Sequence, residues 1–389
     1  MKKSVEVLIL GAGMSGLAAA YSLRDADLLV VDEAPWIGGR MLSARLQPNG
    51  PWGNLGAQMI TPERVTVVGL AEATGCELLS VKWAHVLERT RLAFEGLGLN
   101  DKAQAQLQAS IARLEAEQAN PRDPTSPDLD GVSLAEWLGD VDEGVAAFWE
   151  SWSQGLANAS IIEISLYAAL CLWGTQRLTA WSTDEVPTHG RGDCIVMGGT
   201  GELGLALGKA LDDRVLTRMR VQSVRPEGGG YAAVLRGPDG EAEIKAKSLV
   251  CSLPAPCALE VMDWLPDWKK TALASIKYGH FIVTPIWVSR DGAHSSWTPT
   301  AYSRPAQTYA LPAFPLRTPG EVDEVGACYQ SWVNDRHARQ IWSDDDESIQ
   351  VGVRKAFLNG TAYDPDGKGK AYWEAHDEFG NPIEKRKSA

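Results

Sequence analysis

Residues 5–43, VEVLILGAGMSGLAAAYSLRDADLLVVDEAPWIGGRMLS, decide how the rest of the chain is read. The apolar run 5–10 leads directly into Gly11-Ala12-Gly13-Met14-Ser15-Gly16, and an Ala-rich apolar run over 17–23 follows. Strand, tight turn and helix in that order form a dinucleotide-binding pattern. Gly11 permits the turn, Gly13 lets backbone come close to a pyrophosphate, and Gly16 lets helix and strand pack. The start of the helix, at Met14 and Ser15, offers unpaired N–H groups and a positive dipole end. A second apolar strand over 28–31 delivers Asp32, with Glu33 beside it, sixteen residues after Gly16. An acid there accepts hydrogen bonds from both hydroxyls of an adenosine ribose. The competing reading is a signal peptide announced by Lys2 and Lys3. It is not expected, because Glu6 interrupts a short apolar run and no small-residue cleavage site follows.

The continuation after Asp32, EAPWIGGRMLS over 33–43, adds a Gly38-Gly39 pair and Arg40. Paired glycines let backbone run close to a ligand, and a guanidinium pairs bidentately with phosphate. The plain alternative is a loop with a surface arginine. An acidic strand end followed at this spacing by GGR resembles the glutathione-reductase-type FAD proteins, in particular the flavin-containing amine oxidase superfamily. NLGAQMITP over 54–62 resembles the segment these proteins lay against the isoalloxazine ring, and GGRM with GAQ-x-IT is most similar to renalase-like members. The resemblance implies FAD as cofactor. It places Gly11, Gly13, Met14, Ser15 and Gly16 at the pyrophosphate, Asp32 and Glu33 at the ribose, and Gly39 and Arg40 at the phosphates. It places Gly56, Ala57, Gln58 and Met59 at the flavin, and the backbone of Val221 at the adenine. Replacing Asp32 or Arg40 by alanine is then expected to remove flavin from a chain that stays folded.

Composition fits a globular protein. The 389 residues suggest two domains, and 44% apolar with 22% charged residues are normal for a chain that buries large cores. Thirty-seven basic against fifty acidic residues leave a net charge of −13, which argues against nucleic acid or an anionic membrane as partner. No apolar run approaches the roughly 18 residues of a membrane span. The six cysteines show neither CxxC pairing nor metal spacing, and the six histidines are scattered. No metal site is expected, and a reducing cytoplasm is.

The expected fold class is α/β: a Rossmann-type FAD-binding domain, parallel sheet plus β-meander, interleaved with an α+β substrate domain. The FAD-binding domain is expected over 1–80 and 190–256, and the substrate domain over 81–189 and 257–358. Helices are expected over 62–74, 101–118, 143–152 and 161–173, with a capping box, Ser133 to Glu136, starting another. Trp149, Trp152, Trp173 and Trp181 lie in or just after this helical block. They line a pocket in the sharper reading and simply pack in the plainer one. MGGTGEL over 197–203 opens a helix, and the absence of a following Lys-Ser/Thr excludes a P-loop. A strand over 215–224, a meander with turns at 228–230 and 238–240, and a returning core strand at 249–256 should complete the nucleotide domain.

Two departures from the family stand out. The strand over 278–288 resembles one that often carries a lysine near the flavin. Val283 or a neighbour falls at that position, Lys277 comes too early, and renalase-like members also lack the lysine. After Leu358, where an acidic helix over 343–358 ends, residues 359–389 show no closing strand or Gly-rich turn and read as a divergent or truncated tail. The resemblance implies hydride transfer from an amine or reduced nitrogen-containing small molecule, with molecular oxygen as acceptor. No nucleophile triad is present, so no catalytic residue is named. Two alternatives stay open: a desaturase or porphyrinogen-type oxidase, and a non-catalytic flavin-binding remnant acting as a partner subunit. Sequence says nothing of oligomeric state.

Overall fold

The computed structural model describes residues 3–45, 52–58, 60, 65–80, 99–119, 126–176, 194–288, 308–312, 327–333 and 338. Expectations for Met59, Trp181, the helix over 343–358 and the tail over 359–389 lie outside these. The chain divides into two compact units. One comprises Met1–Val81, Arg191–Tyr278 and Leu316–Pro319; the other comprises Lys82–Gly190, Gly279–Pro315 and Gly320–Ala389.

The first unit runs β1 (Ser4–Leu10), α1 (Met14–Ser22), β2 (Leu28–Val31), β3 (Ser43–Arg45), β4 (Trp52–Asn54), α2 (Val65–Ala73) and β5 (Leu78–Ser80). It resumes with β6 (Cys194–Val196), α3 (Gly201–Leu211), β7 (Val215–Leu216), β8 (Arg220–Glu227), β9 (Gly230–Gly237), β10 (Gly240–Cys251), α4 (Ala255–Val261) and α5 (Asp267–Ala274). Its main sheet has the order β7-β2-β1-β10-β9-β8. The first four strands are parallel, while β8, β9 and β10 form an antiparallel meander. Leu10 is level with Val31 on one side and Cys251 on the other, so three strands end together where α1 begins.

The continuous apolar runs in β1 and β2 follow from burial on both faces. Ile9, Leu28 and Val30 face Leu17 and Ala20 of α1 and Leu203, Leu207 and Leu211 of α3. Leu8, Leu10, Leu29 and Val31 share the opposite core with Val224, Ala233, Leu235 and Ile244 of the meander, and with Ala258 and Val261 of α4. The meander thus extends the same sheet from β10 and shares this core with the parallel strands.

The strand expected over 215–224 is broken. After β7, Arg218 takes a left-handed φ of 58°, its N–H donates to Ala34 O, and Met219 N–H donates to Asp32 O. These two bonds turn the chain across the end of β2 and start β8 as a separate strand.

The second unit contains helices Asp101–Ala119, Pro127–Asp130, Leu134–Leu138, Glu143–Ala157 and Leu166–Gln176. It also holds a three-stranded antiparallel sheet in the order β11 (Ile282–Val288), β13 (Ala327–Val333), β12 (Thr308–Pro312). The Ser133–Glu136 capping box forms in both directions. Trp149, Trp152 and Trp173 are at most 1% exposed, and their ring centroids are 5.4 to 5.8 Å apart. They are core packing, not a pocket lining, and Trp149 Nε1–H is satisfied by Ser110 Oγ at 2.9 Å.

The helix expected from 161 begins only at Leu166. The carbonyls of Ile161 and Ile164, which a helix would use internally, instead accept from Ala135 N–H and Leu134 N–H. Glu150 also takes the Ser160 hydroxyl and the Ile161 amide, fixing a tight turn. Among the described residues no helix is long and apolar enough to cross a membrane. Cys76, Cys171, Cys251 and Cys257 are free thiols.

Candidate functional site

The Gly11–Gly16 turn sits where β1 gives way to α1. Gly11 has a φ of +98° and Gly16 packs against it: a Cβ on Gly16 would lie 1.9 Å from Gly11 O. Both glycines are thus required by the protein itself. Ser252, just past β10, supports the turn from below, donating its hydroxyl to Leu10 O at 2.8 Å. Gly13 differs. Its φ of −70° is open to any residue, and a Cβ there would meet nothing closer than Gly39 Cα at 4.0 Å. No side chain caps α1 and its first turn holds no acid, so the orphan amides of Met14 and Ser15 and the positive dipole end face outward.

Asp32 binds this turn directly. Its Oδ2 accepts from Ala12 N–H at 2.6 Å and its Oδ1 from Ala34 N–H at 2.8 Å. Each carboxylate oxygen keeps lone-pair capacity for a further donor. The acid therefore both anchors the turn and remains an acceptor at its edge. The Arg218–Met219 turn brings Arg220 within 3.8 Å of Glu33, so the start of β8, with Val221, stands next to Asp32 and Glu33. Both side chains of that ion pair are two-thirds exposed, which makes it weak.

The GGR loop locks onto the same turn. Gly38 N–H donates to Ala12 O at 2.8 Å, and Gly13 and Gly38 form a parallel bridge. Gly39, with φ +57°, approaches so closely that a Cβ would come 3.0 Å from Gly13 Cα. Arg40 is exposed, and no described residue pairs with its guanidinium. Its carbonyl accepts from Ala57 N–H at 3.0 Å, and a Cβ on Gly56 would lie 1.7 Å from that oxygen. So hydrogen bonds join the turn that holds Gly11, Gly13, Met14, Ser15 and Gly16 to Asp32 and to the loop of Gly39 and Arg40, and Arg40 in turn to Gly56, Ala57 and Gln58, while Val221 follows the residue that pairs with Glu33, all within the first unit.

The second Gly-rich turn, Met197–Gly201, is filled by protein. Thr200 N–H donates to Asn54 Oδ1 at 3.0 Å and Gly201 N–H to Ser43 Oγ at 2.9 Å. A Cβ on Gly199 would lie 2.4 Å from Ser43 Oγ. These glycines admit Ser43 and Asn54, so the start of α3 has no amide left for a phosphate. Sequence reasoning missed Ser43, Asn54, Thr200 and Ser252. The one available signal was a pair of glycines at a helix start with no phosphate-binding lysine, which says that something else comes close. Lys277 is exposed in the first unit, whereas Val283 lies in β11 of the second, opposite Trp332.

Comparison with known proteins bears on this geometry. A family model described as flavin containing amine oxidoreductase matches residues 14–359. AofH of Mycobacterium tuberculosis, a flavin-containing monoamine oxidase by assignment, is 26% identical over 261 residues, covering 62% of this chain and 55% of that protein. The chain thus spans little more than half the length of this relative. A structure of wild-type putrescine oxidase bound to putrescine superposes with a TM-score of 0.69 at 18% identity, covering 92% of this chain and 80% of that one. Cyclohexylamine oxidase from Brevibacterium oxydans IH-35A gives 0.67 at 18% identity, covering 91% and 80%. At such identity these two establish the shared fold.

Proposed function

The chain belongs to the flavin-containing amine oxidoreductase family, and from that premise we propose that it is an FAD-dependent oxidoreductase acting on an amine or another reduced nitrogen-containing small molecule, with molecular oxygen as acceptor. The observation that carries the reading is Gly13. It is a glycine in an ordinary conformation with free space at its Cβ, set between an uncapped helix start and the GGR loop. Among the described residues nothing needs a glycine there, whereas a pyrophosphate lying against the backbone does.

The residues present fit FAD. Met14 and Ser15 offer their amides and the α1 dipole to the pyrophosphate, and Arg40 supplies the balancing cation. Asp32, already held by two backbone amides, points its remaining lone pairs toward a ribose, with Glu33 beside it. Val221 offers backbone at the adenine end, and Gly56 to Gln58, with Met59 following, run beside the flavin. FAD when bound supplies the redox chemistry, accepting a hydride from substrate and returning the electrons to oxygen. The chain supplies position and electrostatics. The first unit is then the FAD-binding domain, including α4 and α5, and the second unit is the substrate domain. The free thiols of Cys76, Cys171, Cys251 and Cys257 support action in the cytoplasm.

The test is an absorbance spectrum of the purified protein, identification of the chromophore released on denaturation, and a screen of amines for peroxide release. Flavin bands, released FAD and peroxide from at least one amine are expected. A colourless protein that stays colourless with added FAD would overturn the reading.

A further inference from the structure

The Ser43–Asn54–Thr200 cluster is polar, with Ser43 half-buried and the other two buried, and no cofactor contact described above uses it. Asn54 is 5% exposed and Thr200 is 1% exposed. Ser43 and Asn54 are cross-strand partners in the β3–β4 pair, and Thr200 precedes α3. The donors can be assigned one to each acceptor. Ser43 Oγ–H donates to Asn54 Oδ1 at 2.7 Å while its oxygen accepts from Gly201 N–H. Thr200 N–H donates to Asn54 Oδ1 at 3.0 Å. The Thr200 hydroxyl lies 3.3 Å from Asn54 Oδ1 but 2.8 Å from Ala57 O, so its single proton goes to Ala57. On the other side, Asn54 Nδ2–H donates to Gln58 Oε1 at 3.3 Å, and Gln58 Nε2–H donates to Gly56 O at 2.7 Å. With the amide reversed, an NH2 group would face the Thr200 N–H, so the orientation of Asn54 is determined by its neighbours.

We infer that Asn54 is a positioning residue for the flavin-side loop: its carboxamide oxygen holds the start of α3, its nitrogen holds Gln58, and so the backbone of Gly56 to Gln58 is set relative to the GGR loop. The inference rests on the FAD reading. It explains why the Met197–Gly201 turn is glycine-rich without binding phosphate, and why the loop needs an amide where a carboxylate would satisfy α3 equally well. Two donors on one side call for an acceptor; the Gln58 oxygen on the other calls for a donor. Asparagine supplies both, whereas aspartate supplies only the first.

Asn54→Asp separates these roles. The acceptor for Ser43 and Thr200 N–H stays, but a second oxygen then faces Gln58 Oε1, and Gln58 must turn away and release Gly56 O. The expected result is an apoprotein melting within a few degrees of wild type, with FAD binding weakened about tenfold, the size of one lost hydrogen bond to a buried group. The visible flavin band should also change its fine structure, a readout that a purely structural residue would not move. Gln58→Ala should give the same losses, and the double variant no more than either alone, because both remove one interaction. If wild-type protein takes up FAD but both single variants bind it with wild-type affinity and an unaltered spectrum, the positioning role is overturned and the FAD reading stands. If wild-type protein takes up no FAD, the FAD reading falls and this inference with it. If Asn54→Asp does not fold, Gln58→Ala alone decides, with wild-type affinity and spectrum overturning the role.

Discussion

Replacing Gly13 by alanine separates a glycine kept for a ligand from one kept for the fold. Gly13 has φ −70° and ψ 173°, a conformation alanine adopts without strain. The nearest atom to the added methyl is Gly39 Cα at 4.0 Å, an ordinary contact. Losing a glycine restricts the unfolded chain and stabilises by about 0.4–1 kcal/mol. Alanine is a poorer N-cap than glycine by a similar amount, about 0.5–1 kcal/mol. The two offset, so the apoprotein should melt within about 2 °C of wild type, given roughly 2–4 °C per kcal/mol for a unit of about 150–250 residues such as the first. The methyl does, however, occupy the face where a pyrophosphate would meet the backbone. Overpacking of this kind costs about 1–3 kcal/mol, or roughly 5- to 150-fold in FAD affinity.

Gly16→Ala is the contrast. Its Cβ would lie 1.9 Å from Gly11 O, against the 3.4 Å at which ordinary contact begins, so backbone must yield by 1.5 Å (3.4 − 1.9). The apoprotein itself should be destabilised, by about 3 kcal/mol. Thermal melting of the apoproteins and FAD titration followed by flavin fluorescence quenching read both effects. Wild-type FAD affinity in Gly13→Ala, or a loss of apoprotein stability matching that of Gly16→Ala, would refute the reasoning.

Asp32→Asn should destabilise the apoprotein as well as weaken FAD binding, because an NH2 group would face either Ala12 N–H or Ala34 N–H, at about 1–3 kcal/mol. That revises the simple expectation of flavin loss from an otherwise unchanged chain, and parallel melts of Asp32→Asn and Asp32→Ala check it. Arg40→Ala, by contrast, removes an exposed guanidinium that pairs with no described residue. It should leave melting unchanged and lower FAD affinity about tenfold, the size of a charge-assisted contact, as measured by equilibrium dialysis. In the second unit, Glu115 Oε1 is buried without a hydrogen-bond partner among the described residues, and burial pushes its carboxyl above the ordinary 4.5. A raised folded-state value means the folded chain resists ionisation, so its stability falls as pH rises through 4.5 toward that raised value. Glu115→Gln should therefore melt higher than wild type at pH 7. The difference should vanish below about pH 4, where the group is protonated in both states; an advantage that persists at pH 3.5 would show that charge is not its source.

Much of the nucleotide unit was legible because its signals are local. Uninterrupted apolar runs specify strands buried on both faces. Gly11 and Gly16 specify a tight turn that needs glycine at those two positions, and the SxxE spacing at Ser133 to Glu136 specifies a helix start that forms as expected. The misreadings occurred where distant residues competed for backbone groups. Residues 161–164 have helical composition, but Leu134 and Ala135 claim their carbonyls. Residues 215–224 have strand composition, but Asp32 and Ala34 claim the amides of Met219 and Arg218 and bend the chain.

Sequence by itself thus determined the order of strand, turn and helix, the acid at the end of β2 and the family to which these point, since each depends on neighbours a few residues apart. Tertiary structure decided what fills the glycine-rich turn that sequence had only excluded as a P-loop. The turn at Gly11 to Gly16 keeps its helix amides uncapped, while the one at Met197 to Gly201 spends them on Ser43 and Asn54, the latter 146 residues from Thr200 in sequence. A glycine reports only that something comes close. Whether that something is a phosphate or another part of the chain depends on contacts made after folding brings those segments together.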